Sequence, residues 1–170
     1  MYKFKIADIK FSHLLQNLMN DTFTQAYENI HTEENIKKYI NKNFTTKLVS
    51  GILSSKTAIC TIAFKEKFPV GFYILKDKEC PFNINNTSIE LKQLYILKSE
   101  YNMGLGKKLF TSAVHVTKNL NKKYIWLTVS DKNIQAKSFY EKADFKKIGI
   151  AKKISVGTDI LSSSVMIYKI

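Results

Sequence analysis

The sequence predicts a single mixed α/β domain, and three observations carry that reading. The first is size and composition. A chain of 170 residues with 45% hydrophobic and 12% aromatic side chains is globular and long enough to bury a core of its own. The second is the order of periodicities along the chain. Short apolar or alternating runs and longer stripes at helical spacing follow one another as β-α-α-β-β-β-α-β-α-β-β. The third is a central stretch, residues 94–110, that reads as an apolar strand, a short polar turn with a Gly-x-Gly pair and a long amphipathic helix. No repeat, low-complexity tract or linker interrupts the chain, so residues 1–170 form one domain.

Each element has its own signal. Residues 2–6 alternate apolar and polar side chains and predict a first strand. Residues 11–27 predict a helix, with Leu14, Leu15, Leu18, Met19 and Phe23 near helical spacing. After a break over 29–32, the run Thr32-Glu33-Glu34-Asn35 has the form of a helix start with acids in the first turn. Ile36, Tyr39, Ile40 and Phe44 give that helix an apolar face. A short helix is expected over 47–53. Residues 57–64 and 70–75 are apolar runs joined by Lys65-Glu66-Lys67-Phe68-Pro69, a hairpin pattern. A polar, proline-containing loop over 80–86 leads to a strand over 87–97, which feeds the glycine turn. The following helix sets Leu105, Leu109, Ala113, Val116 and Leu120 along one stripe. A strand over 124–129 and a helix over 133–143 come next. Two strands, over 145–156 and 164–170 around a loop at Gly157, complete the sheet.

Charge and cysteine usage narrow the function classes. The net charge is +13, and all 27 basic residues are lysine. Arginine is the preferred residue for bidentate recognition of phosphates and bases, so its absence argues against evolved nucleic-acid readout. The lysines are also scattered along the whole chain, giving a solvated basic surface whose long-range field favours an anionic ligand. The longest apolar runs fall well short of the ~18 residues that a membrane span needs. The start, Met1-Tyr2-Lys3-Phe4-Lys5-Ile6, lacks the apolar segment of a signal peptide. These features lead to the expectation of a soluble cytoplasmic protein without a membrane partner. Cys60 and Cys80 are few and unpatterned, which supports neither a disulfide framework nor a metal site. His13 and His31 are isolated and His115 lies off the helical stripe, so a His-based nucleophilic triad is unsupported.

The chemistry-bearing pattern is Gly104-Leu105-Gly106 at a helix start. Glycine there permits positive φ and close approach of a ligand to the backbone. The first turn carries unpaired N–H groups at the positive end of the helix dipole, an arrangement that suits phosphate. Lys107 and Lys108 add mobile charge. A bare Gly-x-Gly is equally compatible with a tight strand-to-helix turn that binds nothing. A nucleoside-triphosphate loop is excluded, since it needs an earlier glycine and Ser or Thr where Lys108 stands. The dinucleotide fingerprint is excluded too, because Leu109 occupies the place of its third glycine.

A second stretch, Asn133-Ile134-Gln135-Ala136-Lys137-Ser138-Phe139-Tyr140-Glu141-Lys142, follows the strand over 124–129. Together the two stretches resemble the GNAT superfamily of acyl-CoA-dependent N-acetyltransferases. Tyr101-Asn102-Met103-Gly104-Leu105-Gly106 sits where that family's pyrophosphate loop lies, with Tyr101 in place of the usual Gln or Arg. Asn133, Ala136, Phe139, Tyr140 and Lys142 match its second coenzyme-A motif, with Asp144 in place of the usual Gly before Phe145. The helical start, with Asp21-Thr22-Phe23 and Tyr27, resembles more loosely the bacterial PaiA-type spermidine/spermine acetyltransferases.

The resemblance implies a fold, a cofactor and roles. The fold is a mixed, mostly antiparallel sheet whose central strand pair splays, with flanking helices and acetyl-CoA in the gap. The backbone of Leu94, Tyr95 and Ile96 would pair with the pantetheine arm like an added strand. Residues 101–107 would bind the pyrophosphate, and Asn133, Phe139, Tyr140 and Lys142 would complete the coenzyme-A site. Glu90, the carboxylate inside the central strand, is the candidate base for the amine, and Tyr140 is the candidate acid for the leaving thiolate. The Ile96 amide is the candidate oxyanion donor. The residues alone leave Glu90 open as a solvent-facing strand residue and Tyr140 as core packing. The expected reaction is direct transfer in a ternary complex to a primary amine, with a polyamine leading. Asp21, Glu28, Glu33 and Glu34 are candidates to face that acceptor. Protein N-terminal or lysine acetylation is the alternative within the class, and a basic nucleic-acid-binding regulator without turnover is the alternative outside it. The expected assembly is a monomer or homodimer.

Overall fold

The computed structural model describes residues 1–82, 84 and 87–170. Residues 83, 85 and 86 of the loop read over 80–86 therefore lie outside the described residues. The chain opens with β1 (Tyr2–Ile6) and a 3-10 turn, Ile9–Phe11, that leads into α1 (Ser12–Tyr27). α2 (Glu33–Asn43) starts where its acids predict, with the Thr32 hydroxyl accepting from the Asn35 amide. α3 (Thr46–Leu53) is capped in the same way by Thr45. Next come β2 (Ala58–Lys65) and β3 (Phe68–Lys76), then β4 (Ser88–Ile96), α4 (Leu105–Asn119), β5 (Tyr124–Ser130) and α5 (Ile134–Lys142). The tail supplies β6 (Lys146–Ile150), β7 (Ile154–Val156), β8 (Asp159–Leu161) and β9 (Ser163–Lys169).

Seven strands form one sheet in the order β1-β2-β3-β4-β5-β9-β6. Every neighbouring pair is antiparallel except β4 and β5. Alternation along β3 shows how the sheet divides two cores. Phe72 and Ile74 point to the side covered by α1, α2 and α3, while Tyr73 and Leu75 point to the side covered by α4 and α5. The single mixed α/β domain expected from the sequence is thus the observed one.

Two parts of the sequence reading need correction. The stripe on α4 turns earlier than predicted: Leu105, Leu109, Phe110, Ala113 and Thr117 are buried, whereas Leu120 is exposed. Thr117 enters the core because its hydroxyl donates back to the Ala113 carbonyl at 2.8 Å and so needs no water. The strand expected over 145–156 is two strands. β6 stops at Ile150, and β7 pairs with β8 as a separate two-stranded sheet.

That hairpin is tied to the α1–α2 corner. His31 Nδ1 lies 2.6 Å from Asp159 Oδ2, with the imidazole fully buried. Asn35 accepts from the Thr158 amide at 3.1 Å. Gly157 at the tip has φ +60°, and a Cβ there would meet Asn35 Oδ1 at 2.1 Å, so only glycine fits. His31, isolated in sequence, is a structural tie across 128 positions.

A buried carboxylate secures the other end. Glu100, in the 3-10 turn Lys98–Glu100 after β4, accepts from the Tyr2 hydroxyl and, at 3.0 Å, from Lys65 Nζ. The Tyr2 hydrogen bond, with help from Lys65, holds its carboxyl below the usual range despite burial. A depressed carboxyl stabilises the fold above the unfolded value, about 4.3, and that contribution is lost as pH falls through the folded value. Glu100→Gln should lower stability at pH 7 by about 1–2 kcal/mol. It should also flatten the loss of stability on acidification below about pH 4.3, measured as urea midpoints across pH. A variant that keeps the parent's acid limb would show that other carboxylates set it.

Candidate active site

The site begins with one extra residue in β4. Pairing with β3 runs Gly71↔Ile96, Phe72↔Tyr95, Tyr73↔Leu94 and Ile74↔Gln93, then shifts so that Leu75 faces Leu91. Lys92 is left over as a bulge. On a regular strand Glu90 would share a face with Lys92, Leu94 and Ile96. With the bulge, Leu91, Leu94 and Ile96 pack toward α4 and α5, while Glu90, Gln93 and Tyr95 line the opposite face.

β4 also leaves β5 at this point. The two strands pair in parallel only from Ser88↔Tyr124 to Glu90↔Trp126, so from Leu91 onward the β5 side of β4 is free. The Leu97 amide donates to the Val70 carbonyl at 2.9 Å, toward β3. Strand alternation then turns the Ile96 and Leu94 amides the other way, into the gap. The splayed pair expected by resemblance is present.

Two clefts meet at the gap and share Tyr27, Lys92, Gln93, Tyr95, Thr128 and Ser130. The smaller, about 70 Å³, passes between the strands and brings Leu94 and Tyr95 together with Asn133 and Tyr140. The larger, about 550 Å³, lies on the α1–α2 side over Glu90 and is closed by Val156 and Leu161 of the β7–β8 hairpin. Neither cysteine lines a cleft; both are buried, and burial pushes the Cys60 thiol up to about 12.

The titratable groups differ across the gap. Glu90 is 4% exposed; its Oε1 lies 3.8 Å from Lys92 Nζ and its Oε2 3.8 Å from Lys78 Nζ, and Oε2 has no hydrogen-bond partner. Tyr140 is buried at the other cleft, where burial, then the nearby Tyr27, pushes its phenol well above the ordinary tyrosine value. Burial does the same to Tyr95. Asn133 caps α5, its Oδ1 accepting from the Ala136 amide at 3.0 Å.

Outside both clefts, Tyr101 to Lys107 gather at the start of α4, while Phe139 and Lys142 lie on α5. Asn102 (φ +62°) and Gly104 (φ +79°) are left-handed, and no side chain caps the helix. The first intrahelical bond is Lys108 N to Gly104 O, so the Leu105, Gly106 and Lys107 amides have no partner within the helix. Space is open where a Cβ on Gly104 would lie. An uncapped, lysine-flanked helix start of this form fits an anionic pyrophosphate. Gly106 serves another purpose. Its missing Cβ would touch the Phe139 ring at 3.3 Å, so Gly106 and Phe139 seat α4 against α5. Met103, Lys107 and Lys142 are exposed, Tyr101 is half-buried, and the Leu105 side chain belongs to the core.

The acids expected to face an acceptor lie elsewhere. Glu33 and Glu34 pair with Lys37 and Lys38 one turn along α2, Glu28 pairs with Lys98, and Asp21 is exposed. None lines a cleft. Sequence reasoning missed Gln93, Ser163, Lys78 and Lys152, which do line the larger cleft. One signal was available: the apolar alternation Ile89, Leu91 slips by one before Leu94, Ile96, marking the bulge.

Known proteins share this architecture. A PaiA N-acetyltransferase from Thermoplasma acidophilum, solved with coenzyme A, is 21% identical with a TM-score of 0.81, over 100% of this chain and 99% of that one. An N-acetyltransferase from Staphylococcus aureus Mu50 gives 0.74 at 17% identity, over 99% and 97%. The ribosomal-protein-S18-alanine N-acetyltransferase of Escherichia coli gives 0.75 at 13%, over 100% and 94%. In sequence, an N-acetyltransferase of Lactobacillus delbrueckii subsp. lactis is 25% identical over 125 residues, 72% of each chain. The Acetyltransferase (GNAT) family model matches residues 13–145, and the chain belongs to that family.

Proposed function

We propose that the chain is an acetyl-CoA-dependent N-acetyltransferase that acts on a primary amine seated over Glu90, by direct transfer without a protein nucleophile. The observation that carries this reading is the gap between β4 and β5, which joins a buried carboxylate on one face to a buried phenol on the other. The group that the α4 amides and the strand gap would hold is acetyl-CoA, which would supply a thioester as the acetyl donor, with coenzyme A released as the thiol.

The residues divide the remaining work. The amides at the start of α4, with Lys107 and Lys108, hold the pyrophosphate charge. The Leu94 and Ile96 amides pair with the amide-bearing arm, and Ile96 donates where negative charge builds on a carbonyl oxygen. An amine with a pKa of about 10 arrives protonated at neutral pH and must lose that proton before attack. Glu90 Oε2, buried and without a partner, takes it. The Tyr140 hydroxyl, kept protonated by burial, gives a proton to the leaving sulfur. That both cysteines are buried and line neither cleft supports direct transfer.

A polyamine is the narrower acceptor that the resemblance implies, and the likeness to a PaiA acetyltransferase along the whole chain supports it. The local charges described above do not favour it. The hairpin over the larger cleft favours a small acceptor over a peptide.

The test is a coenzyme-A titration beside thiol release over a panel of amines. Salt-dependent DNA binding without cofactor binding would favour the regulator. Glu90→Gln should lower kcat/KM by about 10²-fold or more and leave acetyl-CoA affinity unchanged. Tyr140→Phe should lower kcat by about 10²-fold at saturating acceptor; an unchanged single-turnover rate would assign Tyr140 to packing alone. Gly104→Val cannot hold φ +79°, so the α4 amides should be redirected and coenzyme-A affinity should fall at least about tenfold with the fold retained. Parent-like affinity would place the pyrophosphate elsewhere. Gly106 is unsuitable for that test because a side chain there meets Phe139 first.

A further inference from the structure

The larger cleft has an unbalanced charge. Among the described residues that line it, Glu90 is the only carboxylate, whereas Lys78, Lys92 and Lys152 all border it. Lys78 and Lys92 both lie 3.8 Å from Glu90, and one carboxylate cannot neutralise both. Lys152 is exposed and has no carboxylate at ion-pair distance among the described residues. A polyamine that gives up one proton for the reaction keeps its other ammonium groups, and these would sit among three lysines.

Unpartnered polar atoms in the same cleft give a second, independent indication. Ser163 is fully buried on β9, and its Oγ has no hydrogen-bond partner, although the residue lines the cleft. Gln93 Oε1 and Glu90 Oε2 are likewise buried without partners. Buried polar groups are normally satisfied, so three in one cleft mark places where a ligand's polar atoms belong. Two of them are oxygens that accept from an amine, and the third is a hydroxyl free to donate to an anion. The remaining wall is aromatic, with Phe23 stacked on Tyr39 at 4.5 Å and Tyr95 beside them.

We propose that the acceptor is a small amine that also carries a carboxylate or phosphate on an apolar or aromatic body. The amine sits on Glu90 Oε2 and Gln93 Oε1, and the anionic group lies toward the Ser163 hydroxyl and Lys152, whose neighbour Ala151 donates its amide to the Ser163 carbonyl at 2.8 Å. This assignment rests on the acetyltransferase reading and specifies the substrate class of that site.

Steady-state thiol release from acetyl-CoA by the full chain tests it, with phenylalanine, phenethylamine, O-phosphoethanolamine and spermidine as acceptors. Phenylalanine or O-phosphoethanolamine should exceed both phenethylamine and spermidine in kcat/KM by about tenfold or more. Phenylalanine against phenethylamine isolates the carboxylate on one aromatic body, and O-phosphoethanolamine asks whether a phosphate serves without that body. Lys152→Gln should raise KM for the anionic amine several-fold, Lys152→Glu should raise it further and improve spermidine, and kcat should hold within about twofold in both. Lys67→Gln, in the β2–β3 turn, removes the same charge and should change none of these values.

Preference for spermidine or phenethylamine overturns the inference and leaves the acetyltransferase standing. So does a Lys152 effect equal for all acceptors, or turnover of neither anionic amine while acetyl-CoA binds. Failure to bind acetyl-CoA in a direct titration overturns the acetyltransferase reading, and the inference with it.

Discussion

One unpaired residue, Lys92, sets the geometry on which the site depends. A bulge adds a residue to one strand only, so the side chains on either side of it change their alternation, and the strand bends. In β4 this change places Glu90, Gln93 and Tyr95 on the α1–α2 face while Leu91, Leu94 and Ile96 stay in the α4–α5 core. The parallel pairing with β5 ends at Glu90, immediately before the bulge. The same local irregularity therefore aims the carboxylate and accompanies the opening of the sheet beside it. A regular β4 would keep Glu90 on the face that Leu94 and Ile96 occupy, where no partner awaits it.

The opening has a cost, and its location explains the rest of the architecture. Each buried polar group without a partner costs about 1–3 kcal/mol, and Glu90 Oε2, Gln93 Oε1 and Ser163 Oγ all carry that penalty around one cleft. The two cores flanking the sheet offset it. The β7–β8 hairpin shows how tightly the cleft is nevertheless defined. Buried His31 and Asn35 hold it by polar contacts at Asp159 and Thr158, and Val156 and Leu161 pack into the α1–α2 core while closing the cleft. Hydrogen bonds between residues far apart in sequence thus fix a wall that hydrophobic burial alone would leave free to slide.

This division also explains what the sequence disclosed. Elements with a strong local cause were legible: Thr32 with its acids starts α2, and Gly104, at φ +79°, turns β4 into α4. The paired motifs led to the gap because motif residues and strand ends are close in sequence. The turn at Gly106 was legible, but its close contact with Phe139 was not, since Phe139 comes from α5. Asp21, Glu28, Glu33 and Glu34 are acids on the elements beside the larger cleft but line neither cleft, and lysines pair with three of them, which their sequence positions do not reveal. Ser163 and Lys152 carry no local signal at all. They reach the cleft through the order of strands in the sheet, which periodicity does not encode.

The two faces of the gap carry different ionisable groups, a buried phenol on one and a buried carboxylate on the other. A phenol surrounded by protein keeps its proton, because burial penalises the charged form; Tyr140 is of this kind. On the other face the buried Glu90 carboxylate lies 3.8 Å from both Lys78 and Lys92. One face therefore offers a group that holds a proton and the other a group held by cations, separated by the width of an opened strand pair. In the proposed reaction the amine proton goes to one side and the leaving sulfur takes its proton from the other, so that reading asks for no nucleophile from the protein. The lysines beside the carboxylate are also those that disfavour a second ammonium in the cleft.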